Sequence, residues 1–336
     1  MALEIIKTLP GDSNFHWFED LPKLLYPNHS IRFKQSDSLN LEFLKNCFVL
    51  LENEVAKARL ALYQNPNLAY QNKNAWCLGN YESVDDQKVS KALFDKVFAE
   101  AKSLNAEYII GPMNGSTWDN YRFSEHHQTP NFLLEPYHHL YYNQQFKNAG
   151  FIPIAKYTSS YDSKIQFDDA KILNRAIQLN NLGVKIRPIN LNSLEEELTN
   201  LYPFIKKAFQ GNFLYTPISL DSFKNKYLEA AKIMDSDYVL IAEDSSNQII
   251  GFLFAYRDLF DTTNKTLVVK TVARNPENQW AGLGQVIGNQ VVKTAAENGF
   301  TRLIHAFMIE EASSTKLSQA FLGQIYKNYV LYGKEI

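Results

Sequence analysis

The 336-residue sequence is poor in three things: it has two cysteines, a formal net charge of only −2, and no apolar run as long as a membrane span. Each scarcity excludes a class of function. Cys47, in Cys47-Phe48-Val49-Leu50, and Cys77, in Trp76-Cys77-Leu78, cannot build a disulfide scaffold, and their apolar neighbours mark them as core residues rather than a metal pair. A balanced charge without a long basic run argues against a protein that grips a phosphate backbone or a membrane surface. The N-terminal Met1-Ala2-Leu3-Glu4-Ile5-Ile6-Lys7 has neither a basic leader nor a long apolar core, so the expected location is the cytoplasm. What remains is a globular protein, 45% apolar, with a small molecule as partner and no metal, nucleic acid or membrane. At this length two domains are the natural expectation.

What is present is a chain organised around Pro276-Glu277-Asn278-Gln279-Trp280-Ala281-Gly282-Leu283-Gly284. Before it, Thr266-Leu267-Val268-Val269-Lys270-Thr271-Val272 has the β-branched density of a buried strand. After it, Leu283, Ile287, Val291 and Ala295 recur every four residues, the spacing of a helix face. Gly282 and Gly284 leave no Cβ between the main chain and a ligand. The first amides of a helix have no intrahelical partner and lie at the positive end of its dipole, so this loop is suited to receive an anion such as a pyrophosphate.

That stretch resembles the coenzyme A loop of the GNAT superfamily of N-acyltransferases, in which Gln or Arg is followed after two residues by Gly, one residue, and Gly or Ala. Gln279, Gly282 and Gly284 fill those places, and Pro276 stands where the family often has a proline. The resemblance implies acetyl-CoA or another acyl-CoA as co-substrate. Its pantetheine arm would bond the main chain at Val272, Ala273 and Arg274. Its pyrophosphate would sit on the amides of Trp280, Ala281, Gly282, Leu283, Gly284 and Gln285, with Gln279 touching phosphate or ordering the loop.

The rest of the chain fits the same order. A helix over residues 168–182, capped by Asp168 and stopped by Gly183, reads as a structured linker. Beyond it come a strand at 184–189, helices at 194–209 and 220–234, and a hairpin of 238–243 with 249–255. The central strand and glycine loop follow, then a strand at 302–308, a helix at 313–322 and a closing strand at 325–332. An internal repeat brings the first half into line: setting Ala101 on Ala295 also sets Ile109 on Leu303 and Ile110 on Ile304. The same alignment puts Asp85, Lys88 and Ser90 on Gln279, Gly282 and Gly284. The first copy thus carries Asp85 and Asp86 where a pyrophosphate would lie, which predicts a single cofactor site, in the second half. Lys147-Asn148-Ala149-Gly150-Phe151-Ile152 resembles the Gly-Phe and closing strand of a GNAT domain. Gly111-Pro112-Met113-Asn114-Gly115-Ser116 with Pro136-Tyr137-His138-His139 is similar to tandem GNAT proteins of no assigned substrate.

The expected fold is therefore α/β, an α+β mixed sheet, with two GNAT-like domains in tandem, each a twisted, mostly antiparallel sheet flanked by helices. The expected division is 1–165 as a degenerate domain, 166–182 as linker and 183–336 as the acyl-CoA-binding domain. The expected reaction is transfer of an acetyl or related acyl group to a primary amine of a small-molecule acceptor. Such a transfer needs a base for the amine and a proton for the leaving thiolate. Family members often supply the proton from a tyrosine four residues before the glycine that ends the last helix. If Gly323 is that glycine, the position holds Gln319, and Tyr326 and Tyr329 are the nearest tyrosines. Tyr326 is the candidate acid, although a tyrosine in a closing strand is also ordinary packing. His305 and the Glu310-Glu311 pair are the candidate bases, although a histidine in an apolar strand is also an ordinary core group. His126, His127, His138 and His139 lack zinc-ligand spacing and are candidates for lining an acceptor site. Two alternatives stay open: a non-catalytic acyl-CoA binding or sensing protein, and an aminoacyl transferase of the Fem kind.

Overall fold

The computed structural model describes residues 3–27, 37–263, 265–310 and 324–336. In chain order the elements are β1 (Leu3–Thr8), α1 (His16–Leu25), β2 (Leu44–Glu52), β3 (Val55–Tyr63), β4 (Ala69–Tyr70), β5 (Lys73–Ser83), α2 (Gln87–Ser103), β6 (Tyr108–Gly111), β7 (Phe123–Ser124), α3 (Tyr141–Asn148) and β8 (Ile152–Asp162). They continue with α4 (Ala170–Asn181), β9 (Lys185–Pro188), α5 (Leu194–Phe209), α6 (Leu220–Ala230), β10 (Val239–Glu243), β11 (Ile249–Arg257), β12 (Thr266–Arg274), α7 (Leu283–Glu297), β13 (Arg302–Ile309) and β14 (Gln324–Glu335). The expected helix at 313–322, with Glu311, Gln319 and Gly323, lies outside the described residues. No described helix is long and apolar enough to cross a membrane.

The chain forms two compact units, each a mostly antiparallel sheet flanked by helices. The first holds Met1–Lys156, Leu214–Thr216 and Lys327–Ile336. Its strand order is β1-β2-β3-β5-β6-β14, with β5 and β6 parallel and the other neighbours antiparallel. Asn53 and Glu54, both at positive φ (51° and 61°), make the tight turn between β2 and β3 that suits the right-handed twist of a hairpin. Helix α2 buries Val89, Leu93, Val97 and Ala101 on one face, the face its spacing predicts. Cys47 and Cys77 are free and buried in this unit, and burial pushes the Cys47 thiol up to about 12.

His138 is also buried here, and its burial lowers the imidazole to about 3. Its Nε2 accepts the Ser124 N–H at 2.7 Å, a bond the neutral ring makes. An unfolded chain takes up a proton at this residue near pH 6.5, and the folded chain does not until about 3. His138 therefore withdraws stability as pH falls between those values. The substitution His138→Gln should flatten the decline in melting temperature between pH 7 and pH 4, measured against the parent.

The second unit holds Tyr157–Phe213 and Pro217–Tyr326. Its strand order is β8-β13-β12-β11-β10-β9, with β12 and β13 parallel and the other neighbours antiparallel. Leu283, Ile287, Val291 and Ala295 of α7 pack on Leu253, Ala255, Leu267 and Leu303 of the sheet. The cap of α4 is Asp169, whose Oδ1 accepts the Lys171 N–H at 2.9 Å, and not Asp168. Asp168 sits one residue earlier at φ +61° and ties α4 to α7 through Asn289 and Lys293, at 3.0 and 2.9 Å.

The units also differ from a division at residues 165 and 183. The strand expected to close the second domain, β14, pairs with β6 and β7 of the first unit. From Tyr157 onward β8 pairs with β13 of the second. Alternation in a strand dictates which face is buried but not which edge it joins. Tyr329, Val330, Leu331 and Tyr332 are all buried, so the run carries no alternation that names its sheet.

Candidate functional site

The second unit opens between β12 and β13. The two strands pair only at residues 266–269 with 302–305. Immediately beyond, both are irregular: β12 slips against β11 so that Phe254 faces Thr271 and Ala255 faces Val269, leaving Lys270 as an extra residue. On β13, His305 faces Ser160 and Met308 faces Thr158. Within that second bulge Phe307 holds φ +58°, a left-handed conformation that costs a bulky residue of order 1–3 kcal/mol and is found where a strand must be re-aimed. Bulges at the same level on adjacent strands turn them apart. Among the described residues, the β13 side of residues 271–274 faces no strand, so main-chain groups of Val272, Ala273 and Arg274 are available to an extended ligand that carries amides.

That edge runs into the glycine loop. Asn278–Trp280 makes one 3-10 turn, Gly282 takes φ +83°, and α7 begins at the next residue. The amides of Trp280, Ala281 and Gln285 donate to Glu277, Asn278 and Gly282. Within the sequence-expected cradle, this leaves Gly282, Leu283 and Gly284 as the donors without a hydrogen bond among the described residues. Trp280 is 6% exposed and belongs to the core beneath α7. Within the loop, Gln279 Nε2 donates to Glu277 Oε2 at 2.9 Å. Arg175 of α4 was not visible as a site residue from the sequence. Its Nε donates to Ala281 O at 2.7 Å and its NH2 nitrogen to Gln279 O at 2.5 Å, and its Cγ lies 3.0 Å from where a Cβ on Gly282 would be. The guanidinium both braces the loop and adds positive charge beside the free amides.

The candidate acid–base residues occupy different faces. His305 is 8% exposed, and its Nε2 lies 3.4 Å from Oδ2 of buried Asp162 on β8. The register places Asp162 beside Leu303 and on the His305 face, which is the α7 side. Tyr326 packs its ring edge-on against Tyr161, 5.7 Å between centroids, and Tyr161 pairs with Ile304 on the opposite face. Glu310 is exposed where β13 ends.

The first unit repeats the geometry with its openings filled. Strands β5 and β6 pair only at Ala75, Trp76 and Cys77 before diverging. Met113 N donates to Leu78 O at 2.7 Å, and Asn114 Oδ1 accepts from Asn80 N at 2.9 Å, so the chain itself takes up the exposed edge. Gly79 permits this approach, because a Cβ there would stand 2.2 Å from Asn114 Oδ1. At the start of α2, Asp86 Oδ1 already accepts from Lys88 N and Val89 N. A carboxylate of the chain sits where the second copy leaves amides open.

These two units define a tandem GNAT fold. A glucosamine N-acetyltransferase region of a fungal multi-domain β-N-acetylglucosaminidase is similar over 99% of this chain, with a TM-score of 0.60 and 13% identity. The chain spans only 38% of that protein's length. A tandem GNAT protein from the clavulanic acid biosynthesis pathway is similar over 99% of this chain and 98% of its own, with a TM-score of 0.56 and 11% identity. A GCN5-related N-acetyltransferase from Sphaerobacter thermophilus is similar over 99% and 95%, with a TM-score of 0.52 and 12% identity. No protein-family model and no curated protein sequence matches the chain.

Proposed function

We propose that the second unit binds acetyl-CoA or a related acyl-CoA and transfers its acyl group to a primary amine of a small molecule. The observation that carries this reading is the continuity of the open β12 edge at residues 271–274 with the unengaged amides of Gly282, Leu283 and Gly284. One suits the amide-bearing pantetheine arm and the other its pyrophosphate. In the transfer, the amine nitrogen bonds to the thioester carbonyl carbon, the C–S bond breaks, and a proton passes from nitrogen to the leaving sulfur. Main-chain amides of β12 are the donors to the developing oxyanion. His305, whose Nε2 lies 3.4 Å from Asp162 Oδ2, is the group we assign to take the proton from nitrogen. Tyr326, on the opposite face of the sheet from His305, is given no part in this step, and the proton returns to sulfur from the imidazole that took it up. Arg175→Ala should weaken acetyl-CoA binding roughly tenfold, because it removes a cation and two loop bonds together; isothermal titration gives the value. Release of free thiol from acetyl-CoA in the presence of an amine library tests transfer itself. Binding with no amine-dependent thiol release would leave a sensing protein in place of a transferase.

A further inference from the structure

Helix α4 is held to the second unit by little apolar packing. Leu179 is its one buried side chain, Ile172 and Ala176 are partly buried against the α7 core, and Leu173 and Ile177 are 42% and 60% exposed. So little burial does not by itself fix the register of a 12-residue helix. Polar contacts supply it at two points, both inside the second unit.

The first point is Asp168, just before the helix. Asn289 on α7 is 7% exposed, and its amide is used in both directions: Oδ1 accepts the Asp168 N–H at 2.7 Å, and Nδ2 donates to Asp168 Oδ1 at 3.0 Å. Lys293, one turn further along α7, donates to Asp168 Oδ2 at 2.9 Å. Asp168 takes φ +61° to face this pair, a conformation that aspartate tolerates better than most residues. The second point is Arg175, whose three guanidinium nitrogens are all engaged. Nε and the NH2 nitrogen hold the loop carbonyls of Ala281 and Gln279, and the NH1 nitrogen donates to Gln178 Oε1 at 2.9 Å. Arg175 follows Asp168 by seven residues, and Asn289 follows Gly282, which lies against the Arg175 stem, by seven. At about 1.5 Å per residue the two spans match, so α4 cannot slide along α7 without giving up one attachment.

We propose that Asp168 is a positioning residue for the glycine loop: its clasp on Asn289 and Lys293 fixes α4 against α7, and so holds Arg175 where it braces residues 279–282. The loop is thereby set before any ligand arrives, which lowers the ordering cost of binding. The two-way bond to buried Asn289 carries most of this, because an exposed lysine pair contributes little. The consequence for binding rests on the acyl-CoA reading of the loop; the hold of the clasp on the loop does not.

Two measurements on the full chain test it. The first is hydrogen–deuterium exchange of the free protein over residues 278–286, where the bonded amides of Trp280, Ala281 and Gln285 report loop order. Asp168→Gly, which suits φ +61° and removes the carboxylate, and Arg175→Ala should each speed that exchange about fivefold, while the β10–β11 hairpin exchanges as in the parent. Asp168→Asn keeps an acceptor for Asn289 Nδ2 and should restore the parent rate to within about twofold. The second is acetyl-CoA titration, in which Asp168→Gly should weaken binding about fivefold. The double variant Asp168→Gly with Arg175→Ala should bind no worse than Arg175→Ala alone, because the aspartate acts through the arginine. Loop exchange unchanged in Asp168→Gly, acceleration shared equally by the hairpin, or losses of affinity that multiply in the double variant overturn the proposal. A parent protein that binds no acetyl-CoA would remove the cofactor reading alone, and the exchange rates would then decide the clasp.

Discussion

Gly284→Asp should raise the dissociation constant for acetyl-CoA at least 100-fold, about 2.7 kcal/mol, while moving the melting temperature by only a few degrees. A Cβ at this position meets Val272 Cγ1 at 3.3 Å, a tight contact that one side-chain shift relieves. A carboxylate in the first turn of α7 is favourable to the helix dipole, so folding is not the casualty. The same carboxylate occupies the anion's place, as Asp86 does at α2 by accepting from Lys88 N and Val89 N. Gly284→Ala is the control, adding bulk without charge, and should cost no more than a few-fold. Gly282 is the less informative target, since φ +83° and Arg175 Cγ at 3.0 Å make any side chain there strained. Equal affinity for the parent and Gly284→Asp would remove the loop from the cofactor site.

Lys327→Met should destabilise the first unit by about 3–5 kcal/mol, the usual cost of leaving a buried charge uncompensated. Lys327 and Glu135 are both 0% exposed, with Nζ 3.0 Å from Oε1. Burial raises the Glu135 carboxyl, and the Lys327 charge opposes that rise, so removing the lysine leaves the burial penalty standing. Tyr329 donates to the same oxygen at 3.0 Å, and Asn131 Oδ1 lies 3.3 Å from the ammonium. The double variant Lys327→Met with Glu135→Gln should recover most of the loss, because neither charge then remains. Urea unfolding followed by circular dichroism gives both values. A loss under 1 kcal/mol in the single variant would mean that β14 does not seat Lys327 in the first unit's core.

The legible parts of this protein were those encoded locally. The strand, glycine loop and α7 could be read because β-branched density, two glycines and a four-residue period lie next to one another. Helix α2 was legible from Val89, Leu93, Val97 and Ala101 for the same reason. The contacts that complete the site are distant in sequence and carry no local mark. Arg175 reaches Ala281 and Gln279 across more than a hundred residues. Asp162 meets His305 because β8 joins β13, and nothing in the alternation of either strand names its partner. Trp280 looks like a loop aromatic in sequence, and only the packing of α7 shows it to be core. The Gly111-Pro112-Met113-Asn114 stretch likewise shows its role only once it folds along the edge of β5.

A crystal structure of the full chain with coenzyme A bound tests the central claim most directly. The account predicts pyrophosphate oxygens at about 3 Å from the amide nitrogens of Gly282, Leu283 and Gly284, and the pantetheine arm along residues 271–274. Coenzyme A bound at another place on the chain, with those three amides facing solvent, would contradict it.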